Sequence, residues 1–311
     1  MKKTLLALAI TGLFATTAQA ASIYEKDGVS IDLTGDVEVQ LRSDTDGANK
    51  NYINIDDADF GFAMGYDIGH NLTVGSAVTF SGEDGKVSLG DAYVGVSGDF
   101  GALTMGKHAT ILDDAGVAGD YAFGFDTIVS DADFSGKQVI KYKGDFDTFY
   151  FGIATILNSG DKENDDSSVD GNIGVRVAGL DLALFAGAGT VTKEWVEDSG
   201  IVETRDINSM VLQATYSINH FDLGAVYATS TSENTDGTTA SDKDAISASV
   251  GYTMDKWNFG LGYGVVTDNE DDTSVGTGYG NVGYSFTSLV HAFVELGHSD
   301  ADDAELGYAA G

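Results

Sequence analysis

A transmembrane antiparallel β-barrel of about sixteen strands, with one long loop folded into its pore as a constriction, is the fold class this sequence predicts. Three observations predict it. Apolar and polar residues alternate with period two along stretch after stretch, which is the signature of strands with one greasy and one wet face. The breaks between those stretches alternate between short turns and long acidic loops. The chain also has 41 glycines, no proline and no cysteine, which suits long ladders that no disulfide staples.

The leader comes first. Lys2 and Lys3, the apolar run from Thr4 to Phe14 and the small-x-small site Ala18-Gln19-Ala20 read as a secretory signal peptide over residues 1–20, which leaves 21–311 as one barrel domain. No other stretch holds eighteen consecutive apolar residues, so a helical membrane protein is excluded. With 42% apolar and 10% aromatic residues, the chain is too hydrophobic for an acidic disordered protein. Its net charge of −33 repels nucleic acid and attracts cations.

The first full strand sets Val29, Ile31, Leu33, Val37, Val39 and Leu41 against Ser30, Asp32, Thr34, Asp36, Glu38 and Gln40. The second opposes Phe60, Phe62 and Met64 to Asp57, Asp59 and Gly61, and the same alternation returns over 210–217, 245–254 and 257–265. The wet faces are rich in Gly, Ser, Thr and Asp, which suit a watery lumen better than a packed core. Short turns are expected at 67–71, 98–101, 144–147, 179–180, 219–220, 255–256 and 287–288. Long loops are expected at 43–51, 81–85, 107–136, 158–168, 193–206, 231–242, 267–275 and 299–303. Aromatic residues such as Tyr66, Phe149, Phe221, Tyr252, Trp257 and Tyr284 fall near strand ends, as in the girdles of a membrane barrel.

The loop from Lys107 to Gly136 is the longest and has no period. A loop of that length inside a compact domain is usually functional or disordered. It carries Asp113, Asp114, Asp120 and Asp126 among Tyr121, Phe123, Phe125 and Phe134, so it has apolar anchors to pack against a wall and carboxylates to charge the bore.

Ile23-Tyr24-Glu25-Lys26-Asp27-Gly28 with Ile31-Asp32-Leu33-Thr34-Gly35 resembles the opening of the general bacterial porins. Ala92-Tyr93-Val94-Gly95-Val96, Phe100-Gly101 and Gly106-Lys107 resemble the strands of that family that precede its constriction loop. The resemblance implies a trimeric sixteen-stranded barrel of the bacterial outer membrane, surrounded by its lipid and lipopolysaccharide. Three departures accompany it. The chain stops at Tyr308-Ala309-Ala310-Gly311 where family members usually end on an aromatic residue, so the last strand is expected to be a few residues short. Asp59, Gly90 and Asp36 stand where the family usually carries basic residues, which leaves Lys107, Lys137, Lys141 and Arg176 as basic candidates for the bore. The proline of the family's constriction loop is missing.

A narrow bore lined by carboxylates concentrates cations. The expected function is passive, cation-preferring diffusion of ions and small hydrophilic solutes through a constriction formed by Asp113, Asp114, Asp120 and Asp126 of the loop with Asp36, Glu38 and Asp59 of the wall. No cofactor and no metal site is expected. The acidic outer loops, such as 161–166 and 268–272, lack the glycine of a calcium loop and read first as solvated charge. An enzyme is not expected, since no Gly-x-Ser-x-Gly or His-Glu-x-x-His motif occurs and nothing pairs a serine with a histidine. Two alternatives stay open: a substrate-specific channel with Tyr121, Phe123 and Phe125 as a sugar track, and a plugged structural or adhesive barrel.

Overall fold

A computed structural model describes residues 21–47, 50–82, 86–117, 122–124, 135–157, 167–194 and 202–311. The expected leader over 1–20 and the loop acids Asp120 and Asp126 lie outside the described residues. The strands are β1 (Ala21–Lys26), β2 (Val29–Ser43), β3 (Tyr52–Gly69), β4 (Leu72–Ser81), β5 (Ser88–Gly98), β6 (Gly101–Ala109), β7 (Ser135–Phe146), β8 (Phe149–Ile156) and β9 (Ser167–Val177). They continue with β10 (Leu180–Glu194), β11 (Val202–Ile218), β12 (Phe221–Asn234), β13 (Thr239–Met254), β14 (Trp257–Asp268), β15 (Thr273–Ser285), β16 (His291–Ser299) and β17 (Gly307–Ala310).

From β2 to β17 each strand pairs antiparallel with the next, and β17 returns to β2 through Ala309↔Arg42 and Ala310↔Leu41. Sixteen strands therefore close a barrel, as the sequence predicts. The short β1 is an addition that pairs with β2 alone, from Ala21↔Leu33 to Lys26↔Val29. The closing seam is short: on one edge of β2, β17 covers Leu41–Ser43 and β1 covers Val29–Leu33, and pairing around the ring matters because lipid cannot satisfy a free N–H or C=O.

The alternation decides which way each face looks. Val37 on β2 is 74% exposed and Ile53 on β3 is 75% exposed, whereas Ser30, Thr34 and Gln40 are buried on the opposite face. The apolar face therefore looks out to lipid and the polar face looks into the bore. From Val29 to Leu41 the outward apolar row runs about 40 Å along the strand, and at a tilt of roughly 45° it spans about 29 Å, close to the apolar band of an outer-membrane barrel. A register irregularity between Glu38 and Val39 keeps Ile53 and Ile55 on the outside while Asp57 and Asp59 stay inside.

One rim carries only tight connections. His70-Asn71 and Ala178-Gly179 have positive φ at both residues, the geometry of the two-residue hairpin turns that match strand twist. An aromatic belt follows this rim, with Phe221 and Tyr252 at 4.7 Å, Trp257 and Tyr284 at 4.7 Å, and Tyr284 against Phe286 at 4.9 Å. It is the interfacial girdle that ring chemistry favours. The other rim carries the long loops, but β10, β11, β12 and β13 reach further into them than the sequence suggests. Polar cross-strand bonds extend these ladders, among them Thr190 Oγ1 donating to Asp206 at 2.8 Å and the Thr192–Thr204 hydroxyl pair at 2.9 Å.

The bore has a dry side. Val139, Ala154, Ile156, Ala183, Phe185, Val211, Val226, Ala228 and Ala245 face inward from β7 to β13 and form one buried cluster with Ile111 and Leu112 of the long loop. Phe185, 2% exposed, is the largest of them. Phe185→Ala should lower barrel stability by about 3–5 kcal/mol, read by urea unfolding in detergent. Loss of under 1 kcal/mol would mean that the cluster contributes little.

Candidate functional site

The long loop leaves β6 at Ala109 and turns inward at once. Thr110 and Ile111 are fully buried and Leu112 is 3% exposed, which places the start of the loop inside the barrel. Leu112–Asp114 forms a single turn of 3-10 helix, with Asp114 N–H donating to Ile111 O and Ala115 N–H to Leu112 O, both at 3.1 Å. Two glycines make room for it. A Cβ at Gly152 would lie 2.5 Å from Ile111 Cδ1, and one at Gly187 would lie 3.2 Å from Leu112 Cδ2.

From there the loop crosses the bore along a row of wall contacts. Ile111 and Leu112 N–H donate to Asp170 Oδ1 on β9 at 2.9 and 3.3 Å. Gly116 N–H donates to Gln213 Oε1 on β11 at 2.9 Å, and Ser249 Oγ on β13 donates to Val117 O at 2.7 Å. On the far wall Phe123 N–H donates to Glu295 Oε1 at 2.6 Å, and Asn281 Nδ2 donates to Glu295 Oε2 at 3.3 Å. The Phe123 ring lies on the cross-strand pair Gly297↔Gly307, with the Arg42 guanidinium 5.2 Å from its centroid.

The turn presents Asp113 and Asp114 on its exposed side. Asp114 pairs with Lys143 Nζ at 2.5 Å, and Lys141 Nζ donates to Ala109 O at 2.7 Å, so Lys141 and Lys143 of β7 tie down the base of the loop. The bore strips part of the water from Asp113, and Asp114 adds a like charge beside it. Both push the Asp113 carboxyl above its ordinary range, against the pull of Lys141 and Lys143.

On the wall, Asp36 and Asp59 are cross-strand partners, as are Glu38 and Asp57, and all four share the inward face of β2 and β3. Asp36 and Asp59 make no ion pair among the described residues. The structure separates the other basic candidates. Lys107 stands opposite Ala92, in register with the outward residues Met105 and Val94, and its ammonium donates to Leu89 O and Gly90 O. It caps backbone carbonyls instead of facing the pore, a correction that follows from strand parity. Arg176 points inward but at the short-turn rim, where it binds Asp145 at 2.8 Å and Asp181 at 3.1 Å and stacks 4.1 Å from the Tyr150 centroid. It belongs to the mouth and not to the constriction. Lys137 sits exposed in the register irregularity between β6 and β7.

A family profile described as Gram-negative porin matches residues 4–304. The chain belongs to the Gram-negative porins. It is an outer-membrane protein that forms a passive channel. A porin-like protein H of Photobacterium profundum is 34% identical over 100% of this chain and 98% of its own length. Among solved structures, the trimer form of OmpT from Vibrio cholerae superposes with a TM-score of 0.77 at 20% identity, covering 91% of this porin and 99% of that chain. An anion-selective porin from Comamonas acidovorans superposes at 0.75 with 13% identity, covering 91% of this porin and 97% of that chain.

Sequence reasoning missed Asp170, Glu295, Gln213 and Lys143. Strand parity alone assigns Asp170 and Glu295 to the wet face. Glu295 also has a local signal, being the one acid in the run His291–Ser299.

Proposed function

We propose that this porin is a cation-preferring diffusion channel for ions and small hydrophilic solutes. The observation that carries the reading is the inward carboxylate block of β2 and β3, where Asp36 and Asp59 lie side by side while Lys143 is occupied by Asp114. Fixed negative charge in a bore with low-dielectric walls raises the local cation concentration. Asp113, projecting from the turn, adds to it, and Asp120 and Asp126 belong to the same proposed lining. Phe123, one ring of the alternative sugar track, is seated on Gly297 and Gly307, which favours open diffusion over a greasy slide. We read the assembly as a homotrimer in lipid and lipopolysaccharide, by analogy with the trimer form of OmpT.

The test is the reversal potential in a planar bilayer under a potassium chloride gradient. The unaltered protein should lie toward the potassium limit, and D36N/D59N/D113N should lower the potassium-to-chloride permeability ratio several-fold. A chloride-leaning reversal potential of the unaltered protein would overturn the reading.

A further inference from the structure

We propose that Asp170 is the positioning residue of the constriction: its carboxylate on β9 holds the turn Leu112–Asp114 against the wall and so sets how far Asp113 reaches into the bore. The inference deepens the proposed channel function and rests on that reading for its electrical consequence.

Asp170 is 4% exposed and makes no ion pair among the described residues. Its cross-strand neighbours are Ala154 on one side and Gly187 on the other, neither of which offers a side-chain donor. A carboxylate buried in this way is costly unless donors reach it. The Ile111 and Leu112 N–H groups reach it, and both bind the same oxygen. They stand at the start of the 3-10 turn, where N–H groups lack partners of their own, so charge and donors complete each other. Gly187 admits both parties, since a Cβ there would lie 3.0 Å from Asp170 Cβ and 3.2 Å from Leu112 Cδ2. The carboxylate is satisfied only with the loop seated, and the seated loop turns Asp113 away from the wall.

The chain has no cysteine, so single thiols report on the seat without background. In the full barrel, Leu112→Cys should react slowly with a water-soluble maleimide. Adding D170A should accelerate it at least about tenfold, because two charge-assisted bonds are lost. Adding D170N should leave the rate within about twofold, since one amide oxygen can accept both N–H groups. Ser30→Cys, buried on the inner face of β2, should stay protected with either change. The electrical counterpart is that D170A abolishes the further effect of D113N on the reversal potential, while D170N preserves it. An unchanged labelling rate at position 112 in D170A would overturn the proposal. Acceleration at 112 and 30 together would overturn it equally, because Asp170 would then support the barrel as a whole. Labelling does not depend on ion preference, so failure of the cation reading would show separately, as a chloride-leaning potential of the unaltered protein.

Discussion

Gly297→Val should turn a steady channel current into a noisy one. The Phe123 ring rests on Gly297 of β16 and Gly307 of β17, and a Cβ at 297 would lie 2.3 Å from Phe123 Cγ and 2.6 Å from Cδ1. The obstacle is a rigid ring and not the end of a flexible chain, so a valine there evicts the ring. Eviction also withdraws the Phe123 N–H, and with it the neighbouring Ala122 N–H, from Glu295, a fully buried carboxylate whose other bond, from Asn281, is longer. Losing that donor is expensive for a buried charge.

A loop held at both walls cannot sweep the conducting path; one held only at β9, β11 and β13 can. The expected trace shows brief partial closures and excess open-channel noise at unchanged salt, with a lower mean current. Phe123→Ala should give a milder version, since it removes the ring but leaves the backbone donor in place. A quiet Gly297→Val trace at the conductance of the unaltered protein would show that the loop is held without the ring.

Strand order, barrel size and the facing of each strand were legible in the sequence because they depend on parity and on break lengths, which are local properties. Lys107 shows where parity was set aside. Its place after Gly106 suggested a pore residue, yet it shares a face with Met105 and Ala92, and the strand put it outside. Arg176 shows the opposite limit, since parity places it inward but does not fix its height, and height separates the mouth from the constriction. The dry side of the bore was illegible for a different reason. Phe185, Val211 and Val226 look like surplus apolar residues on a wet face until a loop some hundred residues away supplies Ile111 and Leu112 to cover them. No local pattern reports a contact of that range.

Cation preference should decline in two stages as the pH falls, and Asp113 should account for the first. Its carboxyl is pushed up by burial in the bore and by Asp114, so it takes its proton at a higher pH than a solvated aspartate, whose pKa is near 4. Reversal potentials measured from about pH 7 to about pH 3 should therefore show an early stage at the high-pH end of the decline. D113N should remove the early stage and leave the later one. The sign for stability is opposite to the usual aspartate case. A carboxyl whose pKa is raised by folding disfavours the ionised folded state, so its cost appears as the pH rises through the unfolded value and disappears as the pH falls. D113N should then weaken selectivity at neutral pH without lowering the urea midpoint of the barrel, the pattern expected where function holds a charge in a place that folding alone would not choose. A D113N barrel that keeps the early stage, or that unfolds at clearly lower urea, would assign that titration elsewhere and return Asp113 to the role of a structural residue.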